Sequence, residues 1–327
     1  IQSLISKGVW EGISTILTFL PIIFIFYIVM GFIEDSGYLS RAAFLMDRFM
    51  SKLGLDGRGF VMQLMGFGCN VPAIMGTRIM RDRKLRLLSM LVIPFSLCTA
   101  RLQVFLFFCS LLFSPAVAPW VLLSLYVMSF LITIINAWLF KGAFRSTELF
   151  ALEIPRYRLP TCRQMLTRAA VEARAFLHNA STYILLGVVA VWFITNLTWG
   201  PDNRTLAVML ADFFAPLLAP LGIPKELGLA LLSGLIAKEV LIGALAVIYG
   251  VSDEGLSNLL VQHIDWVSGY SFMLFVLIYT PCFATLAVMR RESGNVLYTL
   301  FFATWSLALA WVVSFVFYQG ARALGYA

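Results

Sequence analysis

The sequence is poor in charged residues and in histidine. Only 13% of its 327 residues are Asp, Glu, Lys or Arg, two are His, and 61% are hydrophobic. Soluble domains are about half apolar and a quarter charged, and disordered chains are more polar still. The composition therefore excludes both classes and predicts an all-α, polytopic membrane protein. Its length allows about eight or nine spans of ~20 residues each.

Several motifs that carry chemistry are missing as well. The chain contains no G-x-x-x-x-G-K-[ST] loop, no G-x-G-x-x-G and no H-E-x-x-H, the patterns that bind phosphates or catalytic zinc. An intramembrane enzyme would need paired acids or a histidine–metal cluster at depth, yet both His178 and His263 lie outside the apolar segments. We therefore predict that this chain is not an enzyme. It starts at Ile1 without a signal-peptide pattern, so we expect that it derives from a longer or processed polypeptide.

Five cysteines are present, and none has C-x-x-C spacing. Four of them lie in apolar segments, which argues against a disulfide framework. Cys69, Cys98 and Cys282 stand beside Pro or Gly interruptions of those segments. Thiolate is a soft ligand that favours Fe(II), Cu(I) or Zn over Mg or Ca. These three are therefore candidate metal ligands, and the alternative is that they are inert packing residues.

An apolar segment over residues 59–79, the first interrupted segment, has Cys69 and Asn70 at its centre. Its interruptions nearest that centre are Gly66, Gly68 and Pro72. Proline removes a backbone donor, and in lipid a freed carbonyl must be buried or line a cavity. Carbonyls, an amide and a thiol would suit a partly dehydrated cation. The alternative is that the glycines only allow helices to pack closely.

A second interrupted segment, residues 227–249, repeats features of the first. An offset of 168 residues maps Gly66 onto Gly234, and the pattern C-x-A-x-L-x-V occurs at both Cys98 and Cys282. Paired Gly/Pro-interrupted segments in two halves of a chain indicate a transport site. We therefore predict an inverted repeat built from broken helices; chance similarity between apolar sequences is the alternative.

Charges inside apolar segments are costly and are functional candidates by default. Glu239 lies within the second interrupted segment and Arg101 within another span; a Glu239–Arg101 pair would be a purely structural explanation. Glu34 and Asp35 close the first span, near the outer face in the orientation predicted below. They would attract a cation at the entrance of a path, or they are a solvated helix end.

The net charge of +7 raises the question of whether the basic residues cluster on one side of a membrane. Cytoplasmic loops are rich in Lys and Arg, and the basic clusters lie at 78–86, 141–179 and 290–291. Crossing at every apolar segment, 205–221 included, puts these three inside in nine crossings, and 38–58 is then the only basic segment outside. If 205–221 is only re-entrant, the second half inverts and fits the charges less well. The charge therefore indicates topology and not nucleic acid. The prediction is a membrane half over 1–140, a cytoplasmic loop with an amphipathic helix over 141–179, and a second membrane half over 180–327.

Five stretches of the chain, in the same order as in the family, resemble motifs of the FeoB family of ferrous iron transporters. Two resemble the family's Gate motifs, Gly66-Phe-Gly-Cys-Asn-Val-Pro-Ala73 and Gly234-Leu-Ile-Ala-Lys-Glu-Val240. The other three lie at residues 31–48, 152–160 and 279–287. The resemblance implies the permease part of a GTPase-linked Fe(II) importer in the bacterial inner membrane.

The resemblance also implies roles and partners. Fe(II) is the substrate, Cys69, Cys98 and Cys282 form an iron path, and Glu239 is the Gate glutamate. GTP and Mg would bind only the family's N-terminal cytoplasmic G domain, on the same or a separate chain. Expected partners are the lipid bilayer, that G domain and small FeoA- or FeoC-type proteins, with a homo-oligomer left open and no nucleic acid. The alternative function is a nucleoside-like secondary transporter with the same Gate architecture.

Overall fold

A computed structural model describes residues 10–144, 157, 159–171, 173–174, 206–235, 238, 241–243, 245, 260 and 264–325. All regular structure among these residues is helical, and no strand occurs in them. The predicted all-α class is therefore confirmed for the described part of the chain. Glu239, His178 and His263 lie outside the described residues.

The helices are labelled in chain order. Those of the first half are α1 (Trp10–Asp35), α2 (Tyr38–Lys52), α3 (Gly57–Gly68), α4 (Asn70–Gly76), α5 (Arg83–Val92), α6 (Thr99–Leu112) and α7 (Ala118–Phe140). Those of the second half are α8 (Leu206–Leu218), α9 (Lys225–Gly234), α10 (Trp266–Ile278), α11 (Phe283–Ser293) and α12 (Val296–Ala323). Short 3-10 turns cover Thr77–Ile79, Ile93–Phe95 and Ala219–Leu221. Helical residues within 162–174 belong to the predicted amphipathic helix.

Two compact units divide the chain, and neither is continuous in sequence. The first comprises Ile1–Cys98, Phe130–Val188 and Ala287–Asn295; the second comprises Thr99–Ser129, Val189–Leu286 and Val296–Ala327. The predicted division at residues 140 and 179 concerns membrane topology and stays a prediction.

Four helical segments are long and apolar enough to cross a membrane: Arg83–Leu112, Ala118–Phe140, Trp266–Ser293 and Val296–Ala323. A fifth exists if Asp212–Leu221 and Lys225–Leu231, which meet at a bend of 108°, count as one span. The protein is therefore a multi-pass helical membrane protein. The predicted eight or nine spans are not confirmed by the described residues.

Two of these spans are broken near their middle. One break lies between the thirteen residues of α10 and the eleven residues of α11. The other lies between the 3-10 turn Ile93–Phe95 and the fourteen residues of α6. Pro281 lies in the first of these breaks and Pro94 in the turn before the second. Proline lacks an N–H donor and disfavours helical backbone at the preceding residue, which explains why the helices stop there.

The first interrupted segment folds back on itself. Asp56 caps α3, accepting a hydrogen bond from Gly59 N at 2.9 Å, and Cys69 is extended between α3 and α4. The guanidinium of Arg58 donates to the carbonyl oxygen of Ile79 at 3.3 Å. Because the two ends of the segment meet, its arms form a hairpin with Cys69 at the tip, not a crossing.

This hairpin corrects the predicted orientation of residues 34–58. Arg168 donates to Glu34 and Asp35, both at 2.9 Å, and Lys141 Nζ donates to the carbonyl oxygen of Lys52 at 2.7 Å. The prediction that residues 34–58 and the loop 141–179 lie on opposite sides of the membrane is therefore wrong. The reason is that residues 59–79 turn back at Cys69, so that the chain leaves the hairpin on the side where it entered.

In the second unit, α10 and α12 pack together along their length. The hydroxyl of Ser314 donates to Ser271 O at 3.2 Å, and that of Ser271 donates to Leu221 O at 2.8 Å. Small hydroxyl residues allow such close contact between helices in a membrane. Arg322 near the end of α12 pairs with Asp265 before α10 at 2.9 Å, so the two helices are antiparallel.

Candidate functional site

All three cysteines singled out from the sequence occupy helix interruptions. Cys69 separates α3 from α4, Cys98 directly precedes α6, and Cys282 directly precedes α11. Each is partly exposed and free of a disulfide. The dipole of a helix favours negative charge at its N-terminal end, and the thiolate is the form of cysteine that binds metals. Cys98 and Cys282 therefore stand at the N-terminal ends of α6 and α11, where both side chains are partly exposed.

Asn70, next to the hairpin tip, supplies an oxygen. Its side chain is buried, with 4% of the residue exposed, and no described atom donates a hydrogen bond to its Oδ1. A buried acceptor without a donor is costly and needs an explanation. A cation that visits this break would satisfy it.

The glycines of the hairpin make close packing contacts. A Cβ on Gly66 would lie 2.9 Å from Ser96 Oγ, one on Gly68 would collide with the ring of Phe26, and one on Gly76 would collide with Met62 Sδ. The packing alternative for Gly66 and Gly68 thus has direct support from the structure. Their role as gate backbone, together with that of Pro72 and Gly234, stays a prediction.

In the first unit the hairpin is joined to the break that holds Cys98. Gln63 of α3 donates through Nε2 to Ser96 Oγ at 2.6 Å, and Ser96 Oγ donates to Gln63 O at 3.3 Å. Gln63 Nε2 also lies 3.4 Å from Thr133 Oγ1 of α7. A movement of the hairpin would therefore displace Ser96, which lies two residues before Cys98.

The second unit contains an equivalent junction. The backbone N–H of Phe283, the residue after Cys282, donates to Leu235 O at the end of α9 at 2.9 Å. A Cβ on Gly234 would lie 3.0 Å from Tyr279 Oη. Gly234 and Gly66 are equivalent in the sequence repeat, and each approaches an oxygen shortly before a cysteine. The inverted repeat itself stays a prediction.

Tyr279 is the centre of a buried cluster that sequence reasoning missed. Arg101 Nη2 donates to Tyr279 O at 3.3 Å, and Lys238 Nζ lies 3.4 Å from the centre of the Tyr279 ring. From the sequence, Lys238 is visible only as a residue of the second Gate-like motif, because its ring partner is distant in the chain. The proposed Arg101–Glu239 pair cannot be compared with this cluster, since Glu239 is outside the described residues.

No group of three or more His, Cys, Asp or Glu side chains is arranged to hold a metal ion among the described residues. Cys282 contacts Thr285 Oγ1 at 3.1 Å. The cysteines therefore stand as separate positions in each unit's fold, and their role as metal ligands stays a prediction.

Comparison with known proteins agrees with this architecture. Residues 16–112 and 177–296 match the Gate family, described as nucleoside recognition, and residues 122–170 match the C terminus of ferrous iron transport protein B. The Fe(2+) transporter FeoB of Synechocystis sp. is 46% identical over 330 residues, which cover 100% of this chain and 54% of that protein. This chain belongs to the FeoB family. The FeoB of Methanocaldococcus jannaschii is 37% identical over 97% of the chain and 49% of its own length.

A third FeoB relative, from Porphyromonas gingivalis, is a fusion of Fe(2+) transport protein A with FeoB, 34% identical over 97% of this chain and 44% of its own length. The chain spans about half the length of the curated FeoB relatives it matches. No solved structure matches it.

In this FeoB-family chain, an arginine side chain binds the acidic pair that was predicted at the entrance of the path. Glu34 and Asp35 are both partly exposed and both bind Arg168. Their role in an ion path stays a prediction.

Proposed function

We propose that this chain forms the Fe(II)-conducting membrane part of a FeoB-type transporter in the bacterial inner membrane. The observation that carries the proposal is the placement of Cys69, Cys98 and Cys282 at helix interruptions, with the Asn70 oxygen beside the first. Thiolate ligands suit Fe(II) better than they suit Mg or Ca, and the amide oxygen adds a neutral ligand beside them.

The depth of the hairpin supports this function. The twelve residues of α3 rise about 18 Å at 1.5 Å per residue. Half of the hydrocarbon core of a bilayer is about 15 Å. A hairpin that enters from one face therefore carries Cys69 and Asn70 to the middle of the membrane, where transporters of this kind bind their substrate.

Charge supports a cytoplasmic origin for the first hairpin. Residues 34–58 share a face with Lys141 and Arg168, and Arg58 contacts Ile79. Every basic cluster that the positive-inside rule assigns to the cytoplasm can then lie on one side. The segment 38–58, which had been the only exception, now agrees with the rule. Glu34 and Asp35 would be at the cytoplasmic exit of the path.

The second interrupted segment would enter from the other face. In the second unit, Gln319 near the end of α12 donates to Pro220 O at 2.8 Å, just before α9 begins. That end of α12 also carries Arg322, paired with Asp265, whereas the far end of the Trp266–Ser293 span carries Arg290 and Arg291. We infer an inverted repeat of the two interrupted segments, in which Fe(II) passes the thiols in sequence, assisted by Glu239 and the gate backbone.

Coupling and partners follow from the family. GTP and Mg would act on a cytoplasmic G domain, on the same or a separate chain, and this chain itself would have no catalytic role. The fusion found in the Porphyromonas gingivalis relative supports an FeoA-type partner. An FeoC-type partner and a homo-oligomer fit the family equally well.

The description of the Gate family as nucleoside recognition favours one alternative. A nucleoside-like secondary transporter would use the same hairpins with an organic solute and a coupling ion. It predicts solute uptake that is unaffected by removal of Fe(II) and by loss of the thiols.

The test is Fe(II) uptake by the full chain reconstituted in vesicles that contain a metal-quenched dye. Cys69→Ser and Cys282→Ser should each lower the uptake rate by at least about tenfold, a loss of about 1.4 kcal/mol of transition-state stabilisation. Two matched controls are Cys162→Ser, at an exposed position, and Cys109→Ser, at a buried position in α6. Equal uptake by all four variants would remove the thiols from the path.

A further inference from the structure

Two parallel stripes of side chains run along the outer face of α2. An apolar stripe comprises Tyr38, Leu45 and Phe49, and a basic stripe comprises Arg41, Arg48 and Lys52. Exposure of the apolar residues runs from 45% to 79%, and the basic residues are exposed or partly exposed. Both stripes have the spacing i, i+7 and i+11, which aligns three side chains along a helix of 3.6 residues per turn. The basic stripe therefore lies beside the apolar one, about 60° around the helix axis.

The opposite face of α2 packs on the start of the hairpin. Its residues Leu39, Ala43 and Met50 are buried. A Cβ on Gly57, the first residue of α3, would collide with Ala43 O, and Gly57 N donates to Asp47 Oδ1 at 2.8 Å. Asp47 is the only acidic residue of α2. The negative charge of the helix is therefore on the packed side, and both stripes point away from the hairpin.

Both ends of α2 lie where apolar helices end. It begins at Tyr38, just after α1 ends at Asp35, and α1 is the first span predicted from the sequence. At the other end, Lys52 O accepts a hydrogen bond from Lys141 Nζ at 2.7 Å. Lys141 directly follows α7, one of the helices that are long and apolar enough to cross a membrane. The ends of spans mark the boundary between hydrocarbon and headgroups, so α2 lies along that boundary.

No acidic side chain among the described residues neutralises the basic stripe. Neither Arg48 nor Lys52 forms an ion pair with any of these residues. The guanidinium of Arg41 donates to Gly37 O at 3.3 Å and lies 3.5 Å from the centre of the Tyr157 ring, and neither group is charged. The stripe therefore suits an anion, while the apolar stripe beside it needs an apolar environment. An anionic lipid supplies both, because its phosphate lies at the headgroup level and its acyl chains lie below it.

We propose that α2 is an interfacial helix whose basic stripe binds the headgroups of anionic phospholipids and whose apolar stripe lies among their acyl chains. The long Arg and Lys side chains reach the phosphates while their aliphatic parts stay on the apolar surface. A lipid bound in this way holds α2 at the membrane boundary. Because α3 starts against α2 at Gly57, the lipid also fixes the depth at which the hairpin begins. The inference requires that the chain spans a membrane, and it does not require that Fe(II) is the substrate.

The first experiment locates the apolar stripe. Leu45→Trp is made in the full chain, which is reconstituted in phosphatidylcholine vesicles, and its added fluorescence is the difference from wild type, which has eight Trp. Phosphatidylcholine with brominated acyl chains should quench the added fluorescence more strongly than aqueous iodide does. Stronger quenching by iodide would overturn the proposal, because the stripe would then face water and a soluble protein partner.

The second experiment tests the headgroup. Phosphatidylglycerol with brominated acyl chains replaces a small fraction of unbrominated phosphatidylcholine, and the same fraction of brominated phosphatidylcholine is the reference. Half-maximal quenching of the Leu45→Trp fluorescence should need at least about fivefold less of the anionic lipid, since each basic residue near a membrane surface favours anionic lipid by about that factor. Arg48→Gln combined with Lys52→Gln should reduce this preference to less than about twofold.

Matched variants distinguish the stripe from a general effect of charge. Arg83→Gln combined with Lys84→Gln removes the same charge from two exposed residues of α5 and should keep the preference. Arg48→Lys keeps the charge of the stripe and should keep the preference as well. Quenching by brominated phosphatidylcholine in each variant shows that α2 remains in place. An equal fall in preference in the α2 and α5 double variants would overturn the proposal, and so would equal quenching by the two brominated lipids in Leu45→Trp itself.

Discussion

The contact between Glu292 and two arginines should be a main support of the first unit. Glu292 ends the helix that follows Cys282, and its side chain is only 4% exposed. It accepts hydrogen bonds from Arg78 Nε at 2.8 Å and from Arg86 Nη2 at 2.6 Å; Arg78 Nη2 is also in contact with it. Arg78 lies in the turn that ends the hairpin and Arg86 lies in α5. One carboxylate therefore fixes three elements.

The magnitude of its contribution follows from the burial of the partners. Breaking a fully buried ion pair costs about 3 to 5 kcal/mol, because a charge is left uncompensated. Here the Arg78 side chain is 50% exposed and can be hydrated, whereas that of Arg86 is 26% exposed. We therefore expect Glu292→Ala to lower the free energy of unfolding by about 2 to 3 kcal/mol.

The assay is thermal unfolding of the detergent-solubilised protein, followed by the reaction of exposed thiols with a dye. The expected fall in apparent Tm is roughly 4 to 12 °C, at 2 to 4 °C per kcal/mol. Asp265→Ala is the control, since the Asp265–Arg322 pair is exposed and should contribute less than about 1 kcal/mol. Equal shifts for Glu292→Ala and Asp265→Ala would refute the reasoning, and so would additivity of Glu292→Ala with Arg86→Ala in a double-mutant cycle.

Three further variants test close packing and exposed charge. Gly68→Leu should cost about 1 to 3 kcal/mol in the same unfolding assay, because its side chain would meet the Phe26 ring, and Phe26→Ala should restore part of the loss. Gly222 has φ +70° with the Tyr318 ring against it, so Gly222→Ala should cost at least about 1 to 2 kcal/mol even when combined with Tyr318→Ala. Arg168→Ala should cost no more than about 1 kcal/mol, and less at high salt.

Much of this architecture could be predicted from the composition and from the positions of proline and glycine. The apolar composition predicted a helical membrane protein, and Pro94 and Pro281 predicted interruptions near Cys98 and Cys282, because the effect of proline on its own helix is local. The C-x-A-x-L-x-V repeat likewise indicated that the two cysteines hold equivalent places before α6 and α11.

The turn-back at Cys69 could not be predicted in the same way. Residues 59–79 are long and apolar enough for a crossing, and a hairpin of two half-length helices has the same hydropathy. The contact that distinguishes them, Arg58 with Ile79 O, is a feature of tertiary structure. The contact of Lys238 with Tyr279 could not be predicted from the sequence either, since the two residues are far apart in the chain.

Side-specific labelling of introduced cysteines tests the central claim most directly. Arg48→Cys and Arg81→Cys lie before and after the first interrupted segment, both at exposed positions, and the native exposed Cys162 is a reference for the loop side. Ala116→Cys, in the exposed turn between α6 and α7, is the control for the opposite side. A membrane-impermeant thiol reagent should reach positions 48, 81 and 162 from the same face and position 116 from the other. Reaction of positions 48 and 81 from opposite faces would contradict the hairpin and the path built on it.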